Sequence, residues 1–272
     1  MIIDPHLHVW NDDQEKFPYG PSTPNQPGSV ELLFETMASA GVDKAVIVQP
    51  IHYLFDNSYV ADCIQRYPDK LTAQGLIDPT SPDAADQLER LALEQGFGGI
   101  RIHLSRYGDA SNLAAANQNA LWERARDLNL CFNLFGNGKD HAPIEPIIAR
   151  FPEVKVVVDH IGGAQVDEPD PKPILSNLLN WSQYPNVYVK ISNIHTRSHE
   201  AYPFRDTFDI IKQVYDAYGP QRLMWGTDFP HILKTTGYQE SLDLIRNELS
   251  FTEEDLDWML CKTILKVWSF KE

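Results

Sequence analysis

Short apolar runs that alternate with amphipathic segments, from one end of the chain to the other, restrict its architecture more than any other feature. The first run, Met1-Ile2-Ile3, leads straight into Asp4-Pro5-His6-Leu7-His8. Seven more follow, at Lys44–Gln49, Leu71–Ile77, Gly99–His103, Cys131–Phe135, Val154–Val158, Val187–Ile191 and Arg222–Trp225. Between them the spacing predicts helices over Ser29–Ala40, Ser58–Arg66, Pro82–Gln95, Ala116–Leu128, Ala142–Arg150, Pro173–Trp181 and Phe204–Tyr218. Two more are predicted after the last run, over Tyr238–Leu249 and Glu253–Trp268. Ser29 and Thr252 stand where N-caps belong, and Gly41 and Gly219-Pro220 act as stops. Eight strands alternating with helices in 272 residues, without a composition break, predict an α/β protein: one domain over 1–272, folded as a (β/α)8 TIM barrel with an extra C-terminal helix. A doubly wound open sheet is the runner-up. It would place a glycine-rich phosphate turn after the first strand, where this chain carries Asp4 to His8.

In a parallel barrel the functional site lies where the strands end, so what each run carries at its C-terminal edge is informative. The first offers His6 and His8, the second Gln49 with His52 just beyond, the fourth Arg101, His103 and Arg106, and the fifth Asn133. The sixth ends in Asp159-His160 before Gly162-Gly163, the seventh in Lys190 and Ser192 with Arg197 beyond, and the eighth in Asp228 within Gly226-Thr-Asp-Phe-Pro230. A packed core needs no such ring of polar groups. Each group also has a structural reading. His160 and Asp228 could cap turns, Arg101 could serve an internal ion pair, His52 and His103 could be rim or core histidines, and Lys190 faces in or out according to register. On a strand of period two, Asp4, His6 and His8 share a face, so two imidazoles reach one cation or one carbonyl from a rigid element.

The 38 acidic against 23 basic residues give a net charge of -15, which argues against a nucleic-acid partner or an anionic membrane surface. No apolar run reaches the roughly 18 residues of a membrane span, and no basic-then-apolar leader opens the chain, so a cytoplasmic location is expected. Cys63, Cys131 and Cys261 are odd in number and far apart, which predicts buried reduced thiols. Asn11 to Gly28 is too rich in Pro, Asn, Asp and Gly for regular structure; Phe17 and Tyr19 within it either fold over a pocket mouth or pin a surface loop.

Taken in order, Asp4-x-His6-x-His8-x-Trp10, Val-Val-Asp159-His160-Ile-Gly-Gly, Val-Lys190-Ile-Ser192 and Gly226-Thr-Asp228-Phe-Pro230 resemble the amidohydrolase superfamily, and within it the amidohydrolase-2 group with its dicarboxylate and sugar-acid lactonases. The resemblance spans the chain. It implies a barrel hydrolase whose catalytic set maps to His6, His8, His160 and Asp228, with Asp228 activating the water that opens a lactone. The Val48-Gln49-Pro50-x-His52 run resembles the part of the lactonases that lines the substrate pocket, and Arg101, Arg106 and Arg197 fall where the dicarboxylate lactonases hold carboxylates. His103 and Lys190 join them as substrate-binding candidates. Binuclear members place a carbamylated lysine or a glutamate on strand four or five. Here those strands offer Arg101, His103 and Asn133, which argues against two metals. One Zn²⁺ on His6, His8, His160 or Asp228 and a metal-free mechanism both stay open, as do a zinc-dependent non-oxidative decarboxylase of an aromatic or dienoic acid, a non-catalytic binding protein, and assembly as a homo-oligomer. The expected partner is a small molecule.

Overall fold

The structure is a computed structural model that describes residues 1–136 and 140–271. Eight strands form in it: β1 (Ile3–Leu7), β2 (Lys44–Val48), β3 (Leu71–Gln74), β4 (Gly99–His103), β5 (Cys131–Phe135), β6 (Lys155–Val158), β7 (Val187–Ser192) and β8 (Leu223–Gly226). All neighbours pair in parallel, β1 to β3 as one sheet and β4 to β8 as a second. Backbone hydrogen bonds join the two sheets at both seams. At one, Gly75 N donates to Gly99 O (2.9 Å) and Arg101 N to Gly75 O (2.9 Å); at the other, Asp228 N donates to His6 O (2.8 Å) and His8 N to Phe229 O (2.7 Å). The ring is therefore closed, as the alternation predicts. Gly99 at this seam has no room for a side chain, since a Cβ there would lie 1.9 Å from the carbonyl oxygen of Cys131 on the other neighbour, β5. The predicted third strand is longer than β3 because the chain leaves the β2 ladder at Gly75 to bridge β4.

The helices ring the barrel: α1 (Val30–Ala40), α2 (Ser58–Arg66), α3 (Ala84–Arg90), α4 (Asn119–Asp127), α5 (Glu145–Arg150), α6 (Pro173–Asn180), α7 (Phe208–Tyr218) and α8 (Tyr238–Asp243), then α9 (Glu253–Asp257) and α10 (Thr263–Val267) joined by a π-helical turn. Ser29 caps α1 and Gly41 ends it in the left-handed conformation; Thr252 and Asp255 form a capping box at α9. None of the described helices is long and apolar enough to cross a membrane.

The lower barrel interior is apolar. Ile3, Val46, Cys131, Val157 and Met224 from the strands meet Ile264, Val267 and Trp268 from the chain's end, so the C-terminal helix plugs the face opposite the strand ends. β1 also departs from simple alternation. Three residues of β1 advance against two of β2 between Asp4 and Leu7, which is a β-bulge. The bulge takes the Asp4 side chain off the face of the strand that His6 presents, while Asp4 Oδ1 still accepts from His6 N (3.1 Å). Asp4 is buried and accepts from Thr227 N (3.2 Å), Thr227 Oγ1 (2.5 Å) and Tyr238 Oη (2.9 Å), which ties β1 to the end of β8. Cys63 and Cys131 are buried thiols as expected, whereas Cys261 is only half-buried. Among the two readings of the long loop the pinned one holds: Phe17 is buried against Tyr59, Tyr19 Oη donates to Asn11 O, and Trp10 Nε1 donates to Gln26 O.

Because Trp268 is 2% exposed and seals the barrel floor, Trp268→Ala should cost about 3–5 kcal/mol, seen as a lower urea midpoint with a similar slope. An unchanged midpoint would mean that the plug carries no stability.

Candidate active site

At the C-terminal edge of the strands three side chains converge. His6 Nε2 lies 3.6 Å and His8 Nε2 3.3 Å from Asp228 Oδ1. Their potential ligand atoms all lie within 4.8 Å of one another, and all three residues are buried. The sequence places them there by local means. His6 sits inward because of the bulge, His8 follows the end of β1, and Gly226 lets β8 pass close to His6, since a Cβ there would stand 2.9 Å from the His6 Cβ. Asp228 adopts φ 64°, and His160 after β6 and Asn193 after β7 adopt φ 54° and 55°. Non-glycine residues seldom accept this conformation, and here three adjacent strands end in it at one pocket.

The donor set fits a divalent cation. His8 Nδ1 lies 2.7 Å from the Val48 carbonyl oxygen, which can only accept, so Nδ1 carries a proton and Nε2 is the ring atom turned toward Asp228. His6 Nε2 is buried with no hydrogen-bond partner among the described residues. Burial lowers the pKa of His6 to about 3, against the pull of Asp159, and holds His160 well below the usual range, so both rings are neutral. Burial alone would raise the Asp228 pKa; the His8 hydrogen bond and the nearby histidines outweigh it, and the group is a carboxylate well below the ordinary range.

Beneath this cluster sits Asp159. Its Oδ1 lies 3.1 Å from His6 Nδ1 and accepts from Lys190 Nζ (3.0 Å) and Asn133 Nδ2 (3.3 Å), while Oδ2 accepts from Arg101 Nε (2.9 Å). Lys190 and Arg101 overcome the cost of burial and keep Asp159 ionised. Asp159 stands in the Val-Val-Asp159-His160 motif with no role that the sequence assigns it; a carboxylate directly before a candidate ligand is the signal that marks it.

A pocket of about 380 Å³ opens above. His8, His160 and Asp228 line it, with Arg101, Arg106, Arg197, His52 and His103 from the candidate binding set. Arg101 stacks on Phe135 at 4.1 Å, and Arg197 Nε is a buried donor with no partner among the described residues. His160 lies beside His6, ring centroids 4.3 Å apart, but its Nδ1 pairs with Ser192 Oγ (2.8 Å) and it is not one of the three clustered groups. Two candidates are placed elsewhere. Gln49 donates to the Leu54 (3.3 Å) and Asp56 (2.7 Å) carbonyls and braces the turn after β2, and Lys190 is enclosed below the pocket floor. Trp10, Asn193 and His231 also line the pocket, and nothing in their sequence context marks them as binding residues.

A family model described as Amidohydrolase matches residues 3–270. The chain is 24% identical over 232 residues to 4-sulfomuconolactone hydrolase of Hydrogenophaga intermedia, covering 84% of this chain and 74% of that protein. It is 27% identical over 241 residues to L-fucono-1,5-lactonase of Burkholderia ambifaria, covering 84% and 80%. Among solved structures, an amidohydrolase from Burkholderia multivorans with bound zinc matches over 100% of both chains with a TM-score of 0.84 at 19% identity, a likeness of fold. The chain belongs to the amidohydrolase family.

Proposed function

We propose that this protein is a hydrolase that opens a lactone bearing a carboxylate or derived from a sugar acid. The observation that carries the reading is one ionised carboxylate, Asp228, set among neutral histidines at the floor of a pocket with three arginines. The names of the two relatives agree with it. In a chain of net charge -15, the arginines focus an anionic ring into a pocket that long-range charge would otherwise empty. Arg197 and Arg106 grip the carboxylate, because a guanidinium donates two parallel hydrogen bonds to it.

His6 Nε2, His8 Nε2 and Asp228 Oδ1 would hold a divalent metal such as Zn²⁺, which when bound polarises the scissile carbonyl as a Lewis acid. The histidines address Asp228 through Oδ1, and the other carboxylate oxygen takes the proton of the attacking water. His160, oriented by Ser192, turns a ring N–H toward the oxyanion as the tetrahedral centre forms. Asp228 then returns its proton to the ring oxygen as the ester bond breaks. The product is the open hydroxy acid.

Asp228→Asn should lower kcat by about 10²–10⁴-fold on a panel of acidic lactones while leaving substrate binding in place. Full activity in that variant would refute the role, and release of CO₂ without ring opening would favour the decarboxylase chemistry. Arg197→Met should raise KM for carboxylate-bearing lactones by roughly 10–100-fold, the worth of a charged hydrogen bond, and leave neutral lactones unchanged. Equal losses on both would remove Arg197 from carboxylate recognition.

A further inference from the structure

Lys190 is a buried cation that the lactone chemistry does not use. Its Nζ lies 3.0 Å from Asp159 Oδ1 and 3.1 Å from His6 Nδ1, with the Trp268 ring below at 5.4 Å. Asp159 Oδ1 is itself 3.1 Å from the same His6 nitrogen. His6 Nδ1 thus stands between a carboxylate, which can only accept, and an ammonium, which can only donate. It either carries the proton and donates to Asp159, or is bare and accepts from Lys190.

The choice decides what the opposite nitrogen can do. With the proton on Nδ1, Nε2 has a free lone pair and is a metal ligand. With Nδ1 accepting from Lys190, Nε2 carries the proton on the side of Asp228 Oδ1, 3.6 Å away and beyond hydrogen-bond reach, and has no lone pair to offer a metal. His8 has no such choice, because the Val48 carbonyl fixes its proton on Nδ1.

Counting partners favours the Lys190 contact. Asp159 already accepts from Lys190, Asn133 and Arg101 and stays satisfied without His6. The Lys190 N–H aimed at His6 would otherwise confront another N–H. Two buried cations beside the cluster disfavour a doubly protonated His6, so the choice lies between its two neutral tautomers. We propose that Lys190 holds His6 as its Nε2–H tautomer and so sets the metal affinity of the site below what His6, His8 and Asp228 would otherwise supply. His8 is a standing ligand and His6 a conditional one. The inference rests on the proposed ligand set and not on the identity of the lactone.

The test uses the full chain labelled with ¹⁵N-histidine and stripped of metal, with His6→Gln assigning the His6 signals. The metal-free protein should show the His6 proton on Nε2, and zinc titration should move it to Nδ1. In Lys190→Met the proton should sit on Nδ1 without metal. Its zinc affinity, read by competition with a chromophoric chelator, should rise about tenfold or more, the scale of changes around metal-ligating histidines. A His6 proton on Nδ1 in the metal-free wild type overturns the proposal whether or not Lys190→Met folds, and so does unchanged zinc affinity in a folded Lys190→Met. His8→Ala and Asp228→Ala separate the two levels. If they leave zinc binding unchanged, the ligand set itself is wrong; if they weaken it while Lys190→Met has no effect, only the role of Lys190 falls.

Discussion

One buried carboxylate holds the site together. Asp159 stands between Lys190 and Arg101, two cations that would be costly to bury alone, and its Oδ1 touches the first histidine of the motif. Ions removed from water keep their charge only when paired, so Lys190 and Arg101 require Asp159 as much as it requires them. The pairing links β4, β6 and β7 across the barrel interior and leaves an ordered polar floor above the apolar plug of Trp268. Asp4 does the corresponding work at the seam, joining the bulge of β1 to Thr227 just before Asp228. Between them the two aspartates position the histidines from below and the catalytic carboxylate from the side.

Much of the architecture is legible in the chain. The β/α alternation predicts the closed barrel, and β4, β5 and α2 begin and end where the periodicity puts them. The motif residues His6, His8 and Asp228 meet at one point, because the first and last strands of a barrel are neighbours in space although 222 positions separate His6 from Asp228. What periodicity misses is set by breaks in periodicity. The bulge on β1 reverses Asp4 relative to His6, and no pattern of polar and apolar residues announces it. Lys190 reads as a pocket cation until its register places it inward under the floor, and Gln49 reads as a pocket amide until the turn after β2 takes its hydrogen bonds. Trp10 and His231 reach the pocket from loops, whose course depends on tertiary contacts such as the Trp10 bond to Gln26 O.

The function follows from contrast within one cavity. Burial keeps His6 and His160 neutral, while the same burial fails to neutralise Asp228 because hydrogen bonds and nearby rings stabilise its charge. An ionised carboxylate among neutral imidazoles can accept a proton from water and return it, and the surrounding arginines recruit an anion to an acidic protein. His160, Asn193 and Asp228 all hold a positive φ at this pocket, a conformation that persists where the surroundings enforce it.

The central dependence, that Asp159 and Lys190 act as one unit, is tested most directly by a double-mutant cycle in urea unfolding. Asp159→Ala leaves two cations buried without a counter-charge and should lose about 3–5 kcal/mol, and adding Lys190→Met to it should recover part of that loss, giving a coupling energy on the order of 1–3 kcal/mol. Additive losses, with no recovery in the double variant, would contradict the account.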